Sequence, residues 1–207
     1  QVFMPELPIY TASIINTNVK YFSKFIIDFI KFLKIKDMIL IGNSLGGHVA
    51  LLFSKLYPNI AKGLVLTGSS GLYENAMGDT YPKRGDYEFI KKKTQNVFYS
   101  EKIATKEIVD EVFESVNNRN KVIRILAMAK SAIRHNMAQD LPNIKIPVAL
   151  IWGKNDNVTP PEVAKEFDKL LPNSKLYWVN KCGHAPMMEH PKKFNLLVEN
   201  WLFEYDF

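Results

Sequence analysis

Apolar residues fall at Val19, Phe22, Ile26, Phe29, Ile30 and Leu33, a spacing of three and four that lays one stripe along a helix. Asn16, Thr17 and Asn18 stand just before it and offer N-cap side chains. The pattern then changes. Met38 to Ile41 is apolar at every position, and 63–67, 147–152 and 175–179 are short runs of the same kind. Such runs, bounded by polar turns, predict strands buried on both faces. Helical spacing returns over Leu45–Leu56, Pro161–Leu171 and Phe194–Phe203, and Pro58 stops the first of these. At the start of the chain, Val2, Phe3 and Met4 followed by Pro5 predict the end of a further strand.

Strands that alternate with helices and are apolar throughout predict an α/β fold, a mostly parallel sheet with helices on both faces. From Leu72 to Lys145 the alternation stops. No good strand occurs there, and helical patterns run over Lys106–Val116 and Lys121–Ile133. Plain loops of this length are uncommon in compact domains, so the stretch predicts an inserted helical cap. The expected division is a core of 1–71 and 146–207 with a cap of 72–145.

Composition narrows the function classes. With 207 residues and 47% hydrophobic content, the chain has enough apolar side chains for a core. Its longest candidate for a membrane span, Phe22 to Leu33, is broken by Ser23, Lys24, Asp28 and Lys31, so none is expected. The net charge of +6 suits an anionic substrate. Without zinc-finger spacing or an RNP-like aromatic motif, a nucleic-acid partner is not expected. Lys91, Lys92 and Lys93 are read as a solvated helix face. Cys182 is the single cysteine, which rules out an internal disulfide and fits a reducing compartment. With no leader visible after Gln1, the expected location is cytoplasmic. A homodimer stays open.

The chemistry centres on Gly42-Asn43-Ser44-Leu45-Gly46-Gly47, which joins a predicted strand to a predicted helix. A sharp turn there holds serine in a strained conformation, and side chains two residues either side would collide, which accounts for Gly42 and Gly46. The turn exposes the Ser44 hydroxyl above the C-terminal edge of the sheet. It also sets the serine at a helix N-terminus, where the Leu45 N–H can serve as an oxyanion donor.

A serine hydroxyl needs a base. Of four histidines, His48 follows one helical turn later, His135 falls in the predicted cap and His190 begins the last helix. His184 lies in a loop directly after the last strand, on the sheet edge where Ser44 belongs, and Gly183 gives that loop freedom to aim the ring. Asp156, in Trp152-Gly153-Lys154-Asn155-Asp156, follows another strand and can fix the tautomer of the imidazole. An Asp between two asparagines also reads as a surface turn. The order Ser, Asp, His, each after a strand, favours a triad, and Gly68-Ser69-Ser70-Gly71 offers no carboxylate one strand earlier.

Together with Cys182-Gly183-His184-Ala185-Pro186-Met187-Met188-Glu189-His190-Pro191, these segments resemble the α/β-hydrolase family in its capped branch. The resemblance implies a small-molecule substrate, a helical cap over the site, and neither metal nor organic cofactor. It also implies several strands ahead of Gln1, with a loop that supplies a second oxyanion N–H; none is found. Lacking one such donor costs about 10²–10³ in kcat. The Gly-Asn-Ser element is similar to that of carbon–carbon hydrolases acting on ring-fission products. Many of those carry tryptophan after the catalytic histidine, where Ala185 stands, and use a cap arginine, for which Arg119, Arg124 and Arg134 are available. The departures favour a small carboxylic ester over carbon–carbon cleavage; a non-catalytic binding protein is a third reading. Phe89, Phe98, Phe113 and Met128 could shape the pocket, although helical spacing favours core packing.

Overall fold

The computed structural model describes residues 1–73 and 83–207. Part of the expected cap, 74–82, therefore lies outside the described residues. Four parallel strands form one sheet in the order β1-β2-β3-β4: β1 Met38–Asn43, β2 Ala61–Thr67, β3 Val148–Gly153 and β4 Ser174–Val179.

Strand alternation divides the core between the two faces. Leu64 and Leu66 of β2 and Val148, Leu150 and Trp152 of β3 turn to one side. They pack there with α1 (Val19–Leu33), α2 (Leu45–Leu56) and α6 (Pro161–Leu170). Val65, Ala149 and Ile151 turn to the other and meet Leu197 and Trp201 of α8 (Pro191–Glu204). Both faces of the central strands β2 and β3 are covered, which is why these two read as apolar runs; β1, expected to be buried in the same way, is only partly covered.

Local signals set the helix ends. Asn18 caps α1 by accepting the Tyr21 N–H at 2.8 Å, and Lys34 ends it in the left-handed region at φ 56°. The stretch between β2 and β3 is helical, with α3 Tyr87–Gln95, α4 Lys106–Asn117 and α5 Arg119–Arg134. Phe89 and Phe113 pack against Ile90, Val116 and Val122 inside this insert, and Met128 joins the main core. The lysine run lies on α3, where Lys91 pairs with Glu88 at 3.3 Å and Lys93 sits over the Phe89 ring.

One expectation is corrected. Val2 to Met4 forms no strand; these residues are exposed and Phe3 stacks edge-on against Phe29 at 6.2 Å. Among the described residues nothing pairs with the outer edge of β1. Ile41 is 56% exposed there, beside a groove of about 290 Å³ lined by Phe3, Ile26 and Leu40. No helix among the described residues is long and apolar enough to cross a membrane.

Candidate active site

Ser44 occupies the single residue between β1 and α2, at φ 51° and ψ −118°. L-residues with a side chain rarely adopt such a conformation, and it costs about 1–3 kcal/mol. The surroundings enforce it. The Ser44 N–H donates to the Thr67 carbonyl at 3.0 Å, and the Ser44 carbonyl accepts from Ser70 N–H at 3.1 Å and His48 N–H at 3.2 Å. A Cβ on Gly42 would stand 2.4 Å from the Gly46 carbonyl carbon, and one on Gly47 2.4 Å from Ser69 Oγ. The collision expected at Gly46 itself is absent, since a Cβ there meets nothing within 4 Å. The close approach of the two backbones is set by the missing Cβ of Gly42 alone.

Leu45 is the first residue of α2, where a backbone N–H has no acceptor within the helix. The half-buried Ser44 hydroxyl donates no hydrogen bond to another described residue.

Asp156 is 2% exposed rather than part of a surface turn. Its Oδ1 accepts the N–H groups of Val158 at 2.8 Å and Thr159 at 2.9 Å, a local turn closed by its own side chain. Its Oδ2 accepts the Thr159 hydroxyl at 2.8 Å and lies 2.9 Å from Nδ1 of His184. Trp152 Nε1 donates to the Thr159 carbonyl at 2.9 Å, which ties this turn back to β3. A buried carboxylate needs its donors within the protein, and here both oxygens have them.

His184 is 7% exposed, its Nδ1 edge facing Asp156 Oδ2 and, at 3.3 Å, Thr159 Oγ1. With Nδ1 donating to the carboxylate, Nε2 is left as the basic nitrogen. The loops after β3 and β4 cross in backbone contact: Lys154 N–H donates to Val179 O, and Asn155 N–H to Cys182 O. A Cβ on Gly153 would stand 2.0 Å from the Gly183 carbonyl oxygen. Gly183 has no positive φ; its requirement is close approach, since a Cβ there would lie 2.5 Å from Val97 O. The expected gain in loop freedom is thus replaced by a steric reason.

Asn43 joins the two halves of the site. Its Nδ2 donates to the carbonyls of Thr67 and His184, each at 3.0 Å. Gly68, at φ 48°, faces the His184 ring so closely that a Cβ would lie 2.7 Å from Nδ1. Sequence pattern does not reveal the parts of Thr159 and Gly68, because the His184 ring that both of them face is distant along the chain.

The other candidates lie elsewhere. His48 is buried, with Nε2 2.9 Å from the His135 carbonyl, and burial pushes its pKa down to about 4. His190 Nε2 lies 2.8 Å from the Lys181 carbonyl. Burial, reinforced by Glu189, pushes the Cys182 thiol up to about 12, so it stays protonated and inert. Arg124 donates to the carbonyls of Ala12 and Asn120, Arg134 lines a groove beside Ile14 and Ile15, and Arg119 is exposed. Among the described residues no cluster of three His, Cys, Asp or Glu could hold a metal ion.

A parallel sheet with helices on both faces, a strained serine after β1 and a buried Asp–His pair contributed by the loops after β3 and β4 define an α/β hydrolase. The α/β-hydrolase fold family model matches residues 2–191, and the chain belongs to that family. An α/β-hydrolase enzyme from the sediment metagenome of the Mar Chica lagoon, Morocco, is 50% identical, covering 98% of this chain and 78% of its own, at a TM-score of 0.79. A 2-hydroxy-6-oxononadienedioate/2-hydroxy-6-oxononatrienedioate hydrolase of Pseudomonas sp is 29% identical over 82% of this chain. The match covers 64% of that relative, so this chain spans under two thirds of its length. The meta-cleavage product hydrolase of Pseudomonas fluorescens IP01 shares the fold at a TM-score of 0.76 with 19% identity, covering 90% of this chain and 72% of its own.

Proposed function

We propose that the chain carries the catalytic centre of a serine hydrolase that cleaves a small carboxylic ester through an acyl-enzyme. Ser44 is the nucleophile, His184 the base and Asp156 the group that orients the histidine. The observation that carries this reading is the buried contact of 2.9 Å between Asp156 Oδ2 and His184 Nδ1, on the sheet edge that also holds the strained Ser44. Ser44 Oγ attacks the carbonyl carbon as His184 Nε2 takes its proton, and the Leu45 N–H stabilises the oxyanion. The imidazolium then protonates the leaving alcohol. A water activated by the same nitrogen releases the acid and restores Ser44. The insert of α3 to α5 acts as the cap.

Ester cleavage is favoured over carbon–carbon cleavage because Ala185 follows His184 and because the hydrogen bonds of Arg124 go to Ala12 and Asn120. The second reading, hydrolysis of a carbon–carbon bond in a ring-fission product, is supported by the similarity to the 2-hydroxy-6-oxononadienedioate/2-hydroxy-6-oxononatrienedioate hydrolase of Pseudomonas sp. Assaying the full-length protein on p-nitrophenyl esters beside a ring-fission product separates the two. Turnover of the esters alone is expected. A fluorophosphonate probe should label Ser44, and an unlabelled serine would overturn both readings.

A further inference from the structure

Glu189, the last residue of α7 (Pro186–Glu189), lies outside the triad, yet its carboxylate takes three backbone donors. Oε1 accepts the Gly183 N–H at 2.5 Å; Oε2 accepts the N–H groups of Tyr99 at 2.9 Å and Ser100 at 3.0 Å. The donors belong to two separate parts of the molecule. Gly183 immediately precedes His184, whereas Tyr99 and Ser100 follow α3 in the helical insert. A fourth bond runs the other way, from the His184 N–H to the Val97 carbonyl at 2.9 Å. The two segments are in contact as well as bonded, since a Cβ on Gly183 would also come within 2.9 Å of Phe98 Cα.

We propose that Glu189 is a positioning residue, which clamps the His184 loop to the helical insert and makes the placement of the base depend on the seating of that insert. The inference rests on the Ser44 hydrolase reading. Backbone N–H bonds to an ionised carboxylate are among the stronger ones available, and two of these three anchor the insert while the third anchors the peptide that carries His184. Release of the clamp lets the imidazole drift relative to Ser44, and a misplacement of about 1 Å costs about 10²-fold in rate.

Two variants of the full-length protein test this. Glu189→Gln keeps one acceptor oxygen, so its amide NH₂ must face either Gly183 or the Tyr99–Ser100 pair, and half the clamp opens. Glu189→Ala opens both halves. Fluorophosphonate titration counts the competent Ser44 sites, and kcat and KM for p-nitrophenyl butyrate are then expressed per site. We expect kcat per site to fall about 10-fold in the Gln variant and about 100-fold in the Ala variant, with KM within about twofold. The downfield Nδ1–H proton resonance of His184 should broaden or move in both. If the Ala variant does not fold, the Gln variant decides alone. Per-site kcat within about twofold of the parent, or an unmoved His184 resonance, would overturn the proposal whatever happens to thermal stability. Failure of the parent itself to be labelled at Ser44 would instead overturn the hydrolase reading, and the His184 resonance would still decide the clamp.

Discussion

His48 Nε2 lies 2.9 Å from the carbonyl oxygen of His135, so α2, the helix that follows Ser44, is bonded to the C-terminus of α5 in the insert. A carbonyl only accepts, so Nε2 carries a proton. Nδ1 of His48 is buried with no hydrogen-bond partner among the described residues, and the Cδ2 edge of the ring faces Gly71. Protonation would place a charge in that apolar setting, and burial accordingly pushes the pKa from 6.5 down to about 4.

The shift sets a pH dependence. Below about pH 6.5 the unfolded chain takes up a proton at His48 that the folded chain refuses, so stability falls with acidification until about pH 4, where both states are protonated. The full effect is on the order of 3 kcal/mol. Urea unfolding of the parent and of His48→Gln at pH 7 and pH 4 measures it. The parent should lose more stability than the variant on acidification; equal losses would contradict the assignment.

Ser44 stores backbone strain, which yields a second prediction. Ser44→Ala removes the proposed nucleophile but leaves a Cβ at φ 51°, whereas Ser44→Gly removes both. Relief of strain, less the chain entropy of glycine, leaves Ser44→Gly more stable than Ser44→Ala by about 1 kcal/mol. Both should be inactive. Calorimetric Tm values in the order Gly above Ala are expected, and the reverse order would mean that the strain is not borne at this residue.

Legibility in the sequence follows the range of the interaction that defines each element. The stripe from Val19 to Leu33 gives α1 its observed bounds, because its apolar face is set by local spacing. The strand–Gly–x–Ser–x–Gly–helix turn is likewise local, so Ser44 can be found without coordinates. By contrast α3 escapes periodicity: it buries only Ile90 and Thr94 and carries three lysines. The second bond of Asn43 spans 141 residues, and the contact of Thr159 with His184 spans 25. No spacing rule encodes partners that only the sheet brings together. Gly183 shows the same limit, since its close neighbour Val97 comes from the insert.

Thr159 invites a direct test because its hydroxyl meets both the acidic and the basic member of the proposed triad, at 2.8 Å from Asp156 Oδ2 and 3.3 Å from His184 Nδ1. Thr159→Val keeps the shape but strips one donor from a buried carboxylate. A hydrogen bond to a charged group contributes about 1.5–3 kcal/mol, so stability should drop by about that amount. With Asp156 less firmly held, kcat should fall about 10-fold while KM stays near the parental value. Urea midpoints and ester kinetics on one preparation check both parts; an unchanged kcat would restrict Thr159 to a stabilising role.

The two glycines flanking Ser44 should respond in opposite ways to the same substitution. In Gly42→Ala the new Cβ would stand 2.4 Å from the Gly46 carbonyl carbon and 2.5 Å from Gly47 N, so β1 and α2 must separate at Ser44. Overpacking of this kind costs about 1–3 kcal/mol, and here it also shifts Ser44, so both Tm and fluorophosphonate labelling should drop. In Gly46→Ala the Cβ meets nothing within 4 Å, and alanine inside α2 gains about 0.5–1 kcal/mol over glycine. Its Tm should hold or rise and labelling should persist. If Gly46→Ala instead proves as damaging as Gly42→Ala, the space beside Gly46 is filled in the working protein, and the groove between β1 and Phe3 is the place to look for what fills it.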